Sequence, residues 1–236
     1  EKMIREYRFE SREKLLDALF EVVQGSLQKD LAENPNVTLM LSGGSTPGPL
    51  YERLSQAELE WSRVHVALVD ERWVEASHEA SNQRLIQRTL RQNRASEASF
   101  LAMKNKAGTP FAGEVECQAQ CATLPVPYSV CLLGMGPDGH TASLFPNARG
   151  LEQALDSSEL CAAIEANPSE VTGAWVERMT LTPKAIFGAK KLVLLITGED
   201  KWQVYETAKA AVDIKATPVA AILQQPDVEL DVFWAP

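Results

Sequence analysis

The chain has 236 residues, 45% of them hydrophobic and 23% charged, and its 23 Lys and Arg against 32 Asp and Glu give a formal net charge of −9. That apolar share fills a substantial core and excludes a disordered chain, while the acidic balance argues against nucleic acid or an anionic membrane as the main partner. No run approaches the ~20 apolar residues that span a bilayer, so a soluble, cytoplasmic protein is expected.

The first residue is Glu1 rather than Met, which leaves a trimmed start or a removed leader open. After Ser11, residues Leu15, Leu19, Val22, Val23 and Leu27 recur at helical spacing and predict an amphipathic helix to about Ala32. Val37–Leu41 is the first buried strand, and Ser42-Gly43-Gly44-Ser45-Thr46-Pro47 follows it. Thr46 suits an N-cap and Pro47 the first helical position, with Leu50, Tyr51 and Leu54 spaced along one helical face. Strand, glycine turn and helix start together make an anion site, phosphate above all, although an ordinary βα turn has the same features. Neither the Walker spacing nor G-x-G-x-x-G is present.

Val64–Val69 alternates as a strand and ends in Asp70-Glu71-Arg72-Trp73-Val74. Arg72 suits bidentate anion binding, and Asp70 could hold a sugar hydroxyl or orient Arg72. A solvated strand end with a local Asp–Arg pair is the plainer alternative, and both stay open on this stretch alone. Helices are predicted over about 82–92 and 111–123. Cys117 and Cys121 share a helical face, but no second close pair completes a zinc-type spacing with Cys131 and Cys161, so four reduced, buried thiols are expected. His65, inside a strand, and His78, after Trp73, are read as packing or surface residues.

The strand Ser129–Leu133 breaks into Gly134-Met135-Gly136-Pro137-Asp138-Gly139-His140, with three glycines in six residues. Such a loop lies at the carboxyl edge of its strand, where open α/β sheets bind ligands. Asp138 and His140 add a carboxylate beside the side chain best suited to proton transfer near neutrality. A turn carrying a surface Asp and a helix-capping His is the alternative for that stretch alone. Beyond it, Asn147–Ser169 has little periodic signal. Phe100–Met103, Leu160–Glu165 and Trp175–Leu181 are weaker strand candidates, and Lys191–Ile196 is a fully buried strand before a helix over Asp200–Ala211. Val228–Trp234 alternates as an edge or half-exposed strand would. Arg178 at a strand–loop boundary is either a site residue or salt-bridged to Glu177 or another carboxylate; Lys201 is a second site cation or part of a solvated face. Doubly apolar strands separated by helices predict a three-layer α/β/α fold around a mainly parallel, Rossmann-like sheet. No repeat or Pro/Gly/Ser-rich linker divides the chain, so one domain over residues 1–236 is expected.

Taken together, Ser42 through Pro47, Asp70 through Val74 and Gly134 through Pro146 resemble the 6-phosphogluconolactonase family. Glu177-Arg178-Met179-Thr180-Leu181-Thr182 and Thr197-Gly198-Glu199-Asp200-Lys201-Trp202 fit it too, so the resemblance runs along nearly the whole chain. Related glucosamine-6-phosphate deaminases share the Gly-Ser-Thr-Pro turn and the Asp-Gly-His loop, but carry a catalytic Glu five residues after that His. Phe145 stands there in this chain and cannot transfer a proton. The resemblance implies a fold shared with glucosamine-6-phosphate deaminase and ribose-5-phosphate isomerase, and hydrolysis of 6-phosphogluconolactone in the oxidative pentose phosphate route. It implies His140 as general base, with Asp138 fixing its orientation or that of the water. Gly43, Gly44, Ser45, Thr46, Asp70, Arg72, Arg178 and Lys201 are the expected substrate- and phosphate-binding residues. No cofactor and no metal is expected, and the partner is a phosphorylated sugar lactone bound by a monomer or weak homodimer.

Overall fold

Strands that are apolar on both faces are satisfied inside a parallel sheet, and such a sheet is the centre of this molecule. The computed structural model describes residues 3–236; Glu1 and Lys2, with the question of a trimmed start, lie outside the described residues. The first half of the chain runs β1 (Met3–Arg8), α1 (Arg12–Glu33), β2 (Val37–Leu41), α2 (Gly48–Leu54), β3 (Val64–Leu68), β4 (Asp70–Arg72), α3 (Asn82–Thr89), β5 (Ser99–Leu101) and α4 (Pro110–Cys121). The second half runs β6 (Val130–Leu133), α5 (Leu151–Asp156), β7 (Cys161–Glu165), β8 (Glu177–Leu181), α6 (Pro183–Phe187), β9 (Lys191–Thr197), α7 (Glu199–Ala208), α8 (Val219–Leu223) and β10 (Glu229–Ala235).

Seven strands form a parallel sheet in the order β1-β10-β9-β6-β2-β3-β5. From β2 the chain proceeds outward to β3 and β5, then returns to β6 on the other side and proceeds to β9 and β10. The switch point therefore lies between β2 and β6, and ligands of such sheets bind outside the carboxyl ends of the strands there. Those ends carry the two glycine-rich loops.

The long first helix forms as its spacing predicts. Ser11 caps it, its hydroxyl accepting from the Lys14 amide at 3.2 Å, and Leu15, Leu19, Val23 and Leu27 face the core. Three readings of the sequence need correction. Thr46 does not cap α2: Gly44 turns the chain at φ +93°, Pro47 takes the N-cap position in helical geometry, and α2 keeps only seven residues. Asp70–Arg72 is not the tail of the strand before it but a strand of its own, joining β8 and β7 in a separate antiparallel sheet ordered β4-β8-β7. The last strand is not an edge. β10 is buried between β9 and β1, and its polar Asp231 is satisfied by Arg5 at 2.8 Å and Lys191 at 3.0 Å. The weakly patterned stretch after Pro146 is also ordered, since Leu144, Phe145, Leu151 and Ile164 build a second small core beneath the antiparallel sheet.

Candidate active site

The two switch-point loops, β4, β8 and the start of α7 enclose a cleft of about 320 Å³. Gly43, Gly44, Ser45 and Thr46 line one wall, Asp70, Arg72 and Arg178 a second, and His140 and Lys201 close it. All but one of the predicted site residues thus meet in one place; Asp138 stands behind His140 and does not line the cleft. A wider hollow of about 670 Å³ near Gln28, Glu58, Arg63 and Arg94 holds none of these loops.

Close backbone approach explains the glycines. A Cβ at Gly43 would lie 2.1 Å from Asn82 Oδ1, and one at Gly136 would lie 2.1 Å from His140 Cε1. Tyr51, buried in α2, donates its hydroxyl to Ser42 O at 2.5 Å and so fixes the first loop to the helix that follows. The second loop closes on itself, with the Gly136 amide donating to His140 O and the Thr141 hydroxyl to Gly134 O.

His140 Nδ1 lies 2.5 Å from Asp138 Oδ1, which also accepts from the His140 amide at 3.0 Å. With Nδ1 donating to the carboxylate, the lone pair sits on Nε2, where a base needs it. Burial pushes the Asp138 carboxyl up, but hydrogen bonding and charge from His140 outweigh it and leave the group below its ordinary value, ionised at neutral pH. Phe145 stacks on the imidazole with ring centroids 4.3 Å apart, and the Arg178 guanidinium sits 5.0 Å from the same phenyl centroid. Phe145 is thus an apolar plate in contact with both the imidazole and an arginine.

The cations are held in different ways. Arg178 is buried, donating from Nε to Trp175 O at 2.6 Å, with Nη1 3.9 Å from Asp70 Oδ2. Its carboxylate neighbour is therefore Asp70 and not Glu177. Burial pushes its guanidinium down to about 10; Asp70 raises it and the like charge of Arg72 lowers it, and it stays protonated at neutral pH. Arg72 is the register partner of Arg178 across β4 and β8. One Arg72 nitrogen donates to Ala80 O at 2.8 Å, while its buried Nε has no partner. Lys201 is half-buried, and burial followed by the charge of Arg12 pulls its ammonium below the ordinary value. Two opposed arginines, one with an orphaned donor, and a partly desolvated lysine make a strong local field for an anion on a chain of net charge −9.

Three supporting residues escape sequence reasoning. Glu71 is buried and accepts from the amides of Arg72, Asn82 and Gln83 and from the Ser81 hydroxyl, locking the start of α3 to β4. Asn82 lines the cleft and donates to Asp70 O at 3.0 Å. Ser143 donates to Asp70 Oδ2 at 2.6 Å and accepts from Arg178 at 3.4 Å, orienting both. Ser143 lies inside the Asp-Gly-His-Thr-Ala-Ser run, whereas nothing in the sequence marks Asn82.

A carboxylate-bound imidazole facing three cations, at the switch point of a parallel α/β sheet, is the equipment of an enzyme acting on a small anionic molecule. The chain belongs to the glucosamine-6-phosphate isomerase/6-phosphogluconolactonase family, whose sequence model matches residues 10–234. It is 38% identical to a 6-phosphogluconolactonase of Rhizobium meliloti, covering 97% of each chain. Among solved structures, a 6-phosphogluconolactonase from Shewanella baltica superposes with a TM-score of 0.92 at 38% identity, over 100% of this chain and 98% of that one. A monomeric glucosamine-6-phosphate deaminase shares the fold, with a TM-score of 0.76 at 17% identity over 97% of this chain and 96% of that one.

Proposed function

We propose that this protein hydrolyses 6-phospho-D-glucono-1,5-lactone to 6-phospho-D-gluconate, the lactone-opening step of the oxidative pentose phosphate pathway. The observation that carries the mechanism is the Asp138–His140 pair, its free Nε2 beside a cleft ringed by Arg72, Arg178 and Lys201. His140 takes a proton from water as the water adds to the lactone carbonyl, and the imidazolium that forms is stabilised by Asp138. The carbonyl oxygen becomes an oxyanion, held by donors already in place before the reaction. The ring C–O bond then breaks, and the proton passes from His140 to the departing oxygen. The Gly43–Thr46 loop, Asp70 and the three cations divide between the phosphate, the sugar hydroxyls and the carbonyl. Because α2 is so short, phosphate binding rests on loop amides and arginine rather than on a helix dipole.

Phe145 argues against deamination on the same scaffold, since an aromatic ring cannot take the place of a carboxylate in proton transfer. The chain works as one catalytic unit, a monomer or weak homodimer in the cytoplasm, with a small-molecule partner and neither nucleic acid nor membrane. Among the described residues no helix is long and apolar enough to cross a membrane. The test is lactone hydrolysis corrected for the spontaneous reaction. His140→Gln should lower kcat by roughly 10²–10⁴-fold with binding of 6-phosphogluconate retained. A folded His140→Gln protein of full activity would remove His140 from the mechanism.

A further inference from the structure

Three of the four cysteines converge at a place the catalytic cleft does not use. Cys117 and Cys121 lie one turn apart on the buried face of α4, and Cys161 opens β7. Their sulfurs all lie within 4.8 Å of one another, with Cys117 and Cys161 3.1 Å apart. Relative exposure is 2%, 4% and 0%, so the set is sealed from solvent. Spacing along the chain hides it, because the third thiol arrives from a separate element. The two elements are docked without the sulfurs: Gln118 donates to Cys161 O at 3.2 Å, and the Glu114 carboxylate accepts from the Ala163 amide at 2.7 Å.

We propose that Cys117, Cys121 and Cys161 form a three-sulfur site for a thiophilic metal ion, with Cu(I) the ion of best fit. Thiolates select soft ions over hard ones. Structural zinc almost always takes four ligands, and among the described residues no imidazole or carboxylate joins these three sulfurs. A planar trigonal site with metal–sulfur bonds of about 2.3 Å sets its sulfurs about 4 Å apart, a spacing that small rotations of these side chains would reach. Loading displaces thiol protons to solvent and involves no oxidation or reduction. The ion would pin α4 to β7, whose neighbour β8 carries Arg178.

The test uses the reduced full chain under anaerobic conditions, titrated with Cu(I). One equivalent should bind with sulfur-to-metal charge-transfer absorption and raise the thermal midpoint. Cys161→Ser and Cys117→Ala should each weaken binding by more than about 100-fold, since loss of a group merely supporting a ligand already costs 10–100-fold. Cys131→Ala, outside the cluster, should bind as wild type does. Copper X-ray absorption on the wild-type protein reads the site without any variant, and should report three sulfur neighbours and no nitrogen or oxygen. No charge-transfer band at one equivalent, undiminished binding in folded Cys161→Ser, nitrogen or oxygen neighbours, or a Cys117–Cys161 disulfide in freshly purified protein would each overturn the proposal.

Discussion

Replacing Gly136 with alanine adds one carbon atom where the His140 ring stands. That Cβ would lie 2.1 Å from Cε1 and 2.2 Å from Nδ1 of the imidazole, and 2.8 Å from Asp138 Oδ1. Ordinary contact begins at 3.4 Å, so the ring must retreat by about 1.3 Å. It cannot do so freely, because Phe145 stacks on it. Gly136 is not among the residues of positive φ, so alanine introduces no backbone strain of that kind and the effect falls on the imidazole. A misplacement of about 1 Å in a catalytic group costs on the order of 10²-fold, so kcat should fall about 100-fold with KM little changed. Overpacking should also cost about 1–3 kcal/mol of stability. Initial rates of lactone hydrolysis, corrected for the uncatalysed reaction, and urea denaturation measure the two effects separately. Gly25→Ala is the control: a Cβ there meets nothing within 4 Å, and alanine within α1 should leave the rate alone and add about 0.5–1 kcal/mol of stability. A folded Gly136→Ala enzyme with wild-type kcat would refute the claim that the placement of this ring sets the rate.

Three further outcomes are expected. Arg72→Ala should weaken binding of 6-phosphogluconate by about 1.5–3 kcal/mol, the worth of a charge-assisted hydrogen bond, as read by calorimetry; unchanged affinity would take Arg72 out of anion recognition. Burial, against the pull of the Asn82 and Gln83 amides, holds the Glu71 carboxyl up at about 7 from an ordinary 4.5. The folded chain then grips that proton more tightly than the unfolded chain, so Glu71's contribution is complete below pH 4.5 and is lost as pH rises through 7. Denaturation at pH 5 and pH 8 should show wild type losing up to about 3 kcal/mol more than Glu71→Gln across that window, and equal losses would contradict it. Finally, the enzyme should release no ammonia from glucosamine 6-phosphate and should prefer the phosphorylated lactone to gluconolactone, because the anion site supplies positioning energy. Ammonia release, or indifference to the phosphate, would count against the lactonase reading.

The parallel sheet is legible wherever a strand is apolar on both faces, as in Val130–Leu133 and Lys191–Thr197. It is illegible at Met3–Arg8, an edge strand whose Arg5, Glu6 and Arg8 break any apolar pattern. Asp70–Arg72 is hidden for another reason. Its three side chains are polar because they serve the cleft and α3, so period and propensity carry no strand signal while the backbone still pairs with β8. The glycine loops and the Asp138–His140 pair were readable because their chemistry is local. Ser143 and Asn82 act through Asp70, a partner distant in sequence, and such roles appear only when the elements are assembled. Thr46 misleads by a general rule that holds for extended N-caps and fails where Pro47 is already helical.

The position of β10 between β9 and β1 bears on how the chain acquires its shape. Among the described residues, residues 3–8 pair only with residues 229–234, more than two hundred positions later. During synthesis β1 has nothing to pair with, and that edge of β9 stays open, until residues 229–235 have been made. Asp231, gripped from both sides by Arg5 and Lys191, then closes the assembly like a keystone. Pairing so remote in sequence slows folding and lengthens the time for which strand edges can meet other chains. A nascent chain stalled before residue 229 should therefore be a substrate for chaperones even though its catalytic loops are already made.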